Sequence, residues 1–248
     1  MHRTAPRLAR VLACAVVPVM LVVSGCSSEP EPDKKASAPK GGDSSTADGS
    51  GSALATPSKT PEVEPAKYAK LPSACKAVPA KTVTSLVPSA KSKGGSPTRT
   101  SDSMVRAGCS WNGLDDKGVK GSQYRWLEVS FQRYTSDQAL GASGAARAGE
   151  TYTKELEKAK ATDGAKKLKT SALKDVGNQA SLVTYQLRRT GEDFAYVTVV
   201  SRTENAVITL TYNGTGYAGA GAPSVGDLTK GAVDAAKEAV ASVASANK

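Results

Sequence analysis

Three spacings in this chain match those of reactive sites, and each lacks the partners its chemistry needs. Ser73-Ala74-Cys75-Lys76 and Ser171-Ala172-Leu173-Lys174 both set a lysine three residues after a serine, the spacing of a serine nucleophile with a lysine base. Neither is accompanied by the Ser-Asp-Asn and Lys-Thr-Gly elements that complete such a site. Gly214-Thr215-Gly216-Tyr217-Ala218-Gly219 has the glycine spacing that cradles a pyrophosphate. A dinucleotide site also needs a parallel strand ending in an acid about 20 residues on. Here the acids at that distance, Asp234 and Glu238, fall inside an apparent helix, so the run reads as a Gly/Ala loop leading into it. Glu192-Asp193 is a carboxylate pair in an expected hairpin turn, where solvated acids are ordinary. Asn213-Gly214-Thr215 is formally a glycosylation sequon.

The cysteines and the histidine are more informative. Arg3, Arg7 and Arg10 precede an apolar run from Val11 to Val23, and Val23-Ser24-Gly25 leads into Cys26. A charged start, a short apolar core and small residues before a cut describe a secretory signal peptide. With cysteine at the cut the pattern resembles the bacterial lipobox, which implies that residues 1–25 are removed and Cys26 is diacylated on sulfur. A membrane span needs about 20 apolar residues, and the interruption at Pro18 in this shorter run argues against one. Two acyl chains anchor stably where one is marginal. Cys14 leaves with the leader. Cys75 and Cys109 remain, and in an oxidising compartment they are expected to form a disulfide. Metal binding is the alternative, but two cysteines so far apart with no histidine make a poor site. The one histidine, His2, lies in the leader, so the mature chain lacks histidine-based nucleophilic machinery and the usual zinc-water hydrolases. No catalytic, cofactor-binding or metal residue is assigned.

Residues 26–65 form a Ser-, Pro-, Gly- and Ala-rich stretch with almost no apolar side chains. Such a segment cannot bury enough surface to offset its ordering entropy. It is expected to act as a flexible tether with a reach on the order of 35 Å. All twelve aromatic residues lie between Tyr68 and Tyr217, which marks residues 66–248 as one globular domain. That domain carries the full surplus of about ten positive charges. For an exported protein the accessible partners of such a surface are anionic envelope polymers or lipid headgroups rather than nucleic acid, and the attraction weakens with salt. Lysines that merely solvate the surface are the plainer reading, and Lys154–Lys169 looks like a helix face plus a loop.

The periodicities outline the fold. Pro79 to Val87 suits a short helix with proline in its first turn. Val105–Asn112 reads as a strand carrying Cys109 and Trp111. Tyr124–Tyr134 alternates, with Leu127, Val129 and Phe131 on one side and Glu128, Ser130 and Gln132 on the other. Ser136–Ala161 favours helix, weakened in its first half by glycines. Ala180–Arg189, Phe194–Arg202 and Ala206–Tyr212 form an antiparallel meander through short turns. Ser224 and Asp227 have the spacing of a helix cap, after which Val225, Leu228, Ala232, Ala236, Ala239, Val240 and Val243 recur at helical intervals. The expected class is α+β, an antiparallel β-sheet of about five strands packed with helices. Trp111, Trp126 and the strand tyrosines, interleaved with Arg125, Arg133, Arg188 and Arg189, either line a groove for a sugar or headgroup or serve as core and cross-strand packing.

Leu71-Pro72-x-x-Cys75, Pro79-x-x-x-Val83, Gly108-Cys109-Ser110-Trp111 and Leu173-x-x-Val176-Gly177-x-x-Ala180 resemble, in order and spacing, a family of actinobacterial lipoproteins whose domain has no known function. Asn178 stands where that family has an acid. The resemblance covers roughly residues 71–243 and implies a PsbP-like sandwich, but it brings no catalytic residue with it. The expectation is a lipid-anchored module on the outer face of the cytoplasmic membrane. It would be non-catalytic and without a cofactor, and would bind an anionic envelope component or a small ligand. An accessory subunit docking on an envelope enzyme or transporter is the alternative, with a carboxylate-based enzyme acting on an envelope polymer behind it.

Overall fold

The computed structural model describes residues 62–248. The leader, Cys26 and the Ser/Pro-rich stretch up to residue 61 lie outside the described residues.

Alternating side chains dictate the centre of the molecule. Strands β1 (Ser96–Pro97), β2 (Arg106–Asp115), β3 (Ser122–Arg133), β4 (Lys166–Leu173), β5 (Gln179–Arg189), β6 (Glu192–Thr203) and β7 (Ala206–Tyr217) form one sheet in the order β1-β2-β3-β7-β6-β5-β4. Every neighbouring pair is antiparallel. Helices α1 (Ala74–Ala77), α2 (Ala80–Leu86) and α4 (Val225–Ala246) cover one face, and α3 (Gly144–Lys160) lies on the other. On the α4 face, Leu127, Val129 and Phe131 of β3 join Val197, Val199, Ile208 and Leu210 in the main core. The helix presents Leu228, Ala232, Ala235, Ala236, Ala239 and Val243 to them, all fully buried. Small alanines let α4 approach the sheet closely. Ser224 caps this helix: its Oγ accepts from the Asp227 backbone N–H at 3.1 Å and donates to the Asp227 carboxylate at 2.7 Å.

The sheet has seven strands, not five, because its edges carry no side-chain pattern to read. β4, Lys-Lys-Leu-Lys-Thr-Ser-Ala-Leu, is exposed along almost its whole length and is held by backbone pairing to β5, with a bulge between Lys166 and Lys169. What looked like a loop after a helix is therefore an edge strand, and its lysines oppose pairing with another chain. β1 is two exposed residues ending in a proline, a residue confined to edges. α3 begins at Gly144 rather than near Ser136, because Ser143 Oγ caps it by accepting from the Ala146 N–H. The preceding residues instead close a loop through the Asp137–Ala142 bridge.

Two fasteners hold the N-terminal approach. Cys75 of α1 is disulfide-bonded to Cys109 of β2, with Cα atoms 5.1 Å apart. Asn205, 1% exposed, accepts from the Tyr68 N–H at 2.7 Å and donates to the carbonyls of Tyr68 and Tyr134 at 2.9 and 2.7 Å.

Candidate functional site

α3 covers only part of its face of the sheet, and the uncovered part is a groove with aromatic walls and a polar floor. In a strand, residues two apart share a face. Tyr124 and Trp126 of β3 pair across β7 with Thr215 and Asn213, and Tyr196 of β6 pairs with Asn213 from the other side. β7 lies between β3 and β6, so two strand spacings, about 9.6 Å, separate the walls. Tyr124 and Trp126 make one wall, Phe194 and Tyr196 the other, and Tyr217 joins them in a cavity of about 660 Å³. Tyr185 stacks on Tyr196 from behind at 4.9 Å with rings 6° from parallel, and Phe194 meets Tyr124 edge-on at 6.2 Å across the groove, closing that end of it. Burial pushes the Tyr124 and Tyr185 phenols up from their ordinary value, so both remain neutral hydrogen-bonding groups at physiological pH.

The floor continues beneath α3. Thr209, Thr211, Asn213 and Thr215 alternate along β7, a polar stripe down the middle of the sheet, about 20 Å long at the strand rise. Glu128 and Thr211 are shared with a second cavity of about 260 Å³, which Glu155 and Lys158 of α3 wall on one side. Thr209 also lines that cavity, and its hydroxyl is buried without a hydrogen-bond partner. Arg189 stands at the rim of the aromatic end, its guanidinium 3.5 Å from the Tyr196 hydroxyl.

The opposite face carries a larger concavity, about 1050 Å³, between α2, α4 and the β2–β3 end of the sheet. Arg125 and Tyr212 line it from the sheet, Leu86 from α2 and Gly231 from α4. Tyr212 donates to the Leu86 carbonyl at 2.6 Å. Burial pushes its phenol up, and the neighbouring Arg125 guanidinium offsets that only in part. Arg125 donates to Gln123 Oε1 and to the Tyr124 carbonyl, and none of the ion pairs among the described residues includes it.

The residues singled out from sequence therefore divide. Trp126, Tyr124, Tyr196 and Arg189 come together in the sheet-face groove, and Tyr185 supports it. Trp111 is 1% exposed in the core of the other face, and Tyr212 faces that way too. Tyr134 sits at the far end, beneath the Arg147 guanidinium. The arginines do not act together. Arg125 points away from the groove aromatics and lies beside Tyr212 on the other face, Arg133 is buried with its guanidinium on the carbonyls of Met104 and Tyr68, and Arg188 pairs with Asp193 on the surface. Only the end of the glycine run is a loop: Ala218 and Gly219 turn towards α4, whereas Gly214 and Gly216 belong to β7. A Cβ on Gly214 would sit 2.6 Å from the Tyr124 carbonyl oxygen, and one on Gly216 would sit 2.2 Å from the Ala220 carbonyl oxygen. Close backbone approach explains these glycines. Asn213 and Thr215, noted in the sequence only as parts of a sequon and a glycine run, belong to the polar stripe because β7 continues to Tyr217 rather than ending at Tyr212. The signal was present in the polar residues at every second position from Thr209 to Thr215.

No helix among the described residues is long and apolar enough to cross a membrane. No group of three or more His, Cys, Asp or Glu among them is placed to hold a metal ion. No family model matches the chain, and no curated protein is similar to it in sequence. Among solved structures, LpqN of Mycobacterium tuberculosis, described as involved in cell envelope biogenesis, aligns over 58% of this chain and 82% of its own at 16% identity, with a TM-score of 0.30, a likeness too distant to bear on function.

Proposed function

We propose that this chain is a lipid-anchored, non-catalytic binding module of the cell envelope whose sheet-face groove holds a segment of glycan. The observation that carries the reading is the pairing of aromatic walls with a threonine and asparagine floor. A pyranose ring has apolar C–H faces and a rim of hydroxyls. The faces match Trp126 and the tyrosines, and the rim matches Asn213, Thr211, Glu128 and Arg189. Ligand sites are commonly built this way, mostly apolar and aromatic with a few placed polar groups. The exposed lysines of β4 add attraction for acidic polymers, screened by salt. Anchoring rests on the Val23–Cys26 motif, and the non-catalytic character on the lack of any histidine after His2.

The test uses the full chain extracted from membranes in mild detergent, titrated with oligosaccharides released from the cell's own envelope polymers. Binding is read by tryptophan fluorescence and native mass spectrometry. Saturable binding that shifts Trp126 emission and weakens with salt for acidic fractions is expected. A protein that takes up no glycan fraction, or binds glycans equally well after the groove aromatics are replaced, would refute the proposal.

A further inference from the structure

We infer, building on the glycan reading of the groove, that its ligand carries a free, positively charged amine and that Glu128 receives it. Glu128 sits where the aromatic groove passes into the cavity beneath α3, and it lines both. It is half-buried, and on β3 it shares a face with Trp126 and Ser130. Its cross-strand partners are Ser110 and Thr211, neither of them a cation. None of the ion pairs among the described residues includes it.

The donors around it are engaged elsewhere. Lys158 of α3, the cation that shares the second cavity, pairs with Glu155 at 3.9 Å, and the Gln132 amide donates to the same Glu155 carboxylate at 3.3 Å. The Ser130 hydroxyl donates to the Thr209 carbonyl, and the hydroxyls of Thr211 and Thr198 bond each other. Arg189, at the rim, reaches the Tyr196 hydroxyl. One carboxylate is thus left uncompensated inside a largely aromatic groove. A charge drawn partly out of water is costly unless it is paired, so a ligand cation at this place is favoured over a neutral group of the same shape. An ammonium would donate a charge-assisted hydrogen bond to Glu128. Beside Trp126 it would also gain the attraction of a cation for an indole face. The lysines of β4 do not cancel this preference. β4 lies four strand spacings from β3, about 19 Å, and exposed charges are largely screened beyond about 8 Å at physiological ionic strength. An acidic polymer can therefore be drawn in by those lysines and still be read at Glu128 through an amino sugar within it.

Isothermal titration calorimetry of the full chain in detergent tests the assignment, with a glucosamine tetrasaccharide and its fully N-acetylated counterpart as probes. A mildly acidic buffer keeps the sugar amines charged. The free-amine form should bind at least about tenfold more tightly. Glu128→Gln should erase that preference. Glu204→Gln, which removes a carboxylate from the turn between β6 and β7 where it pairs with Lys67, should keep it, which separates a local effect from one of net charge. Both sugars probe the wild-type protein, so the result does not depend on a variant's folding. Equal affinity for the two sugars, or a preference that survives Glu128→Gln, overturns the inference and leaves the glycan reading standing. Failure of the free-amine form to bind overturns it as well, and released envelope glycans titrated in parallel then show whether the groove holds glycan at all.

Discussion

The two tryptophans face opposite sides of one sheet, and replacing each should give opposite phenotypes. Trp126 is half-buried and walls the groove, so its outer face is free to meet a ligand. An indole buries 150–250 Å² when fully covered, so a sugar ring on the free face would cover about 100 Å². At about 25 cal/mol per Å² this contributes about 2.5 kcal/mol, or about 60-fold in affinity at 1.4 kcal/mol per decade. Trp126→Ala should therefore weaken glycan binding by about that factor, and Trp126→Tyr should restore most of it. Trp111, 1% exposed in the α4-side core, contributes packing instead. Trp111→Ala should cost about 3–5 kcal/mol of stability through the cavity it leaves, with glycan affinity unchanged in the protein that remains folded. Affinity from native mass spectrometry and stability from urea denaturation followed by far-ultraviolet circular dichroism separate the two effects. Glycan affinity within about threefold of wild type in Trp126→Ala would sink the argument, because the contribution worked out for the indole face would be missing.

Reducing the Cys75–Cys109 bond, which spans a sequence separation of 34, should lower stability by about 4 kcal/mol on the chain-entropy model, measured as a shift in denaturation midpoint with and without reductant. Replacing Asn205 with leucine removes three buried hydrogen bonds to the chain around Tyr68 and Tyr134 and should cost about 3 kcal/mol, with faster amide exchange at Tyr68. Loss of less than about 1 kcal/mol would mean that the Tyr68 segment is held by other contacts. Burial raises the folded-state pKa of Tyr212 above the unfolded value of 10.0, so its contribution is whole below pH 10 and is lost as pH rises through the folded pKa. Tyr212→Phe should flatten the alkaline limb of the stability profile while losing the bond to the Leu86 carbonyl. An unchanged limb would place the alkaline sensitivity elsewhere, at Tyr124 or Tyr185.

What the amino-acid sequence reveals here follows burial. β3, β5, β6 and β7 alternate because one or both faces are covered, and α4 announces itself through Ser224 and its alanine stripe. Those elements were legible, as was the Cys75–Cys109 pairing. β4 and β1 were not, because an edge strand held only by backbone bonds leaves no apolar rhythm. The groove was half legible. Its aromatics stood out, but the expectation that Arg125 and Trp126 would line the same surface conflicts with strand geometry, since adjacent residues face opposite sides. Parity alone separates them, provided the strand is known to run straight through both. The floor stayed hidden for a related reason: glycines at 214 and 216 looked like a loop when they were making room for neighbouring backbone.

Those glycines also explain why one sheet can present a concavity on each side. At its β2–β3–β7 end the α4 face carries Gly113, Gly214 and Gly216 where the middle of the sheet carries core side chains. A Cβ at Gly113 would stand 2.1 Å from the Ser89 carbonyl oxygen, so the segment after α2 lies directly on the strand and becomes a wall of the concavity. A side chain there would push that wall away. A Cβ at Gly214 would stand 2.9 Å from Arg125 Cδ and displace the guanidinium. Across the same strands the pleat raises Trp126, Asn213 and Tyr196 into the other groove. The core lies toward the middle of the sheet, where Leu127, Val199 and Leu210 meet α4, and the end free of that packing is left to build concave surfaces on both faces. Two concavities back to back are thus a consequence of where the bulky residues stop along β3 and β7.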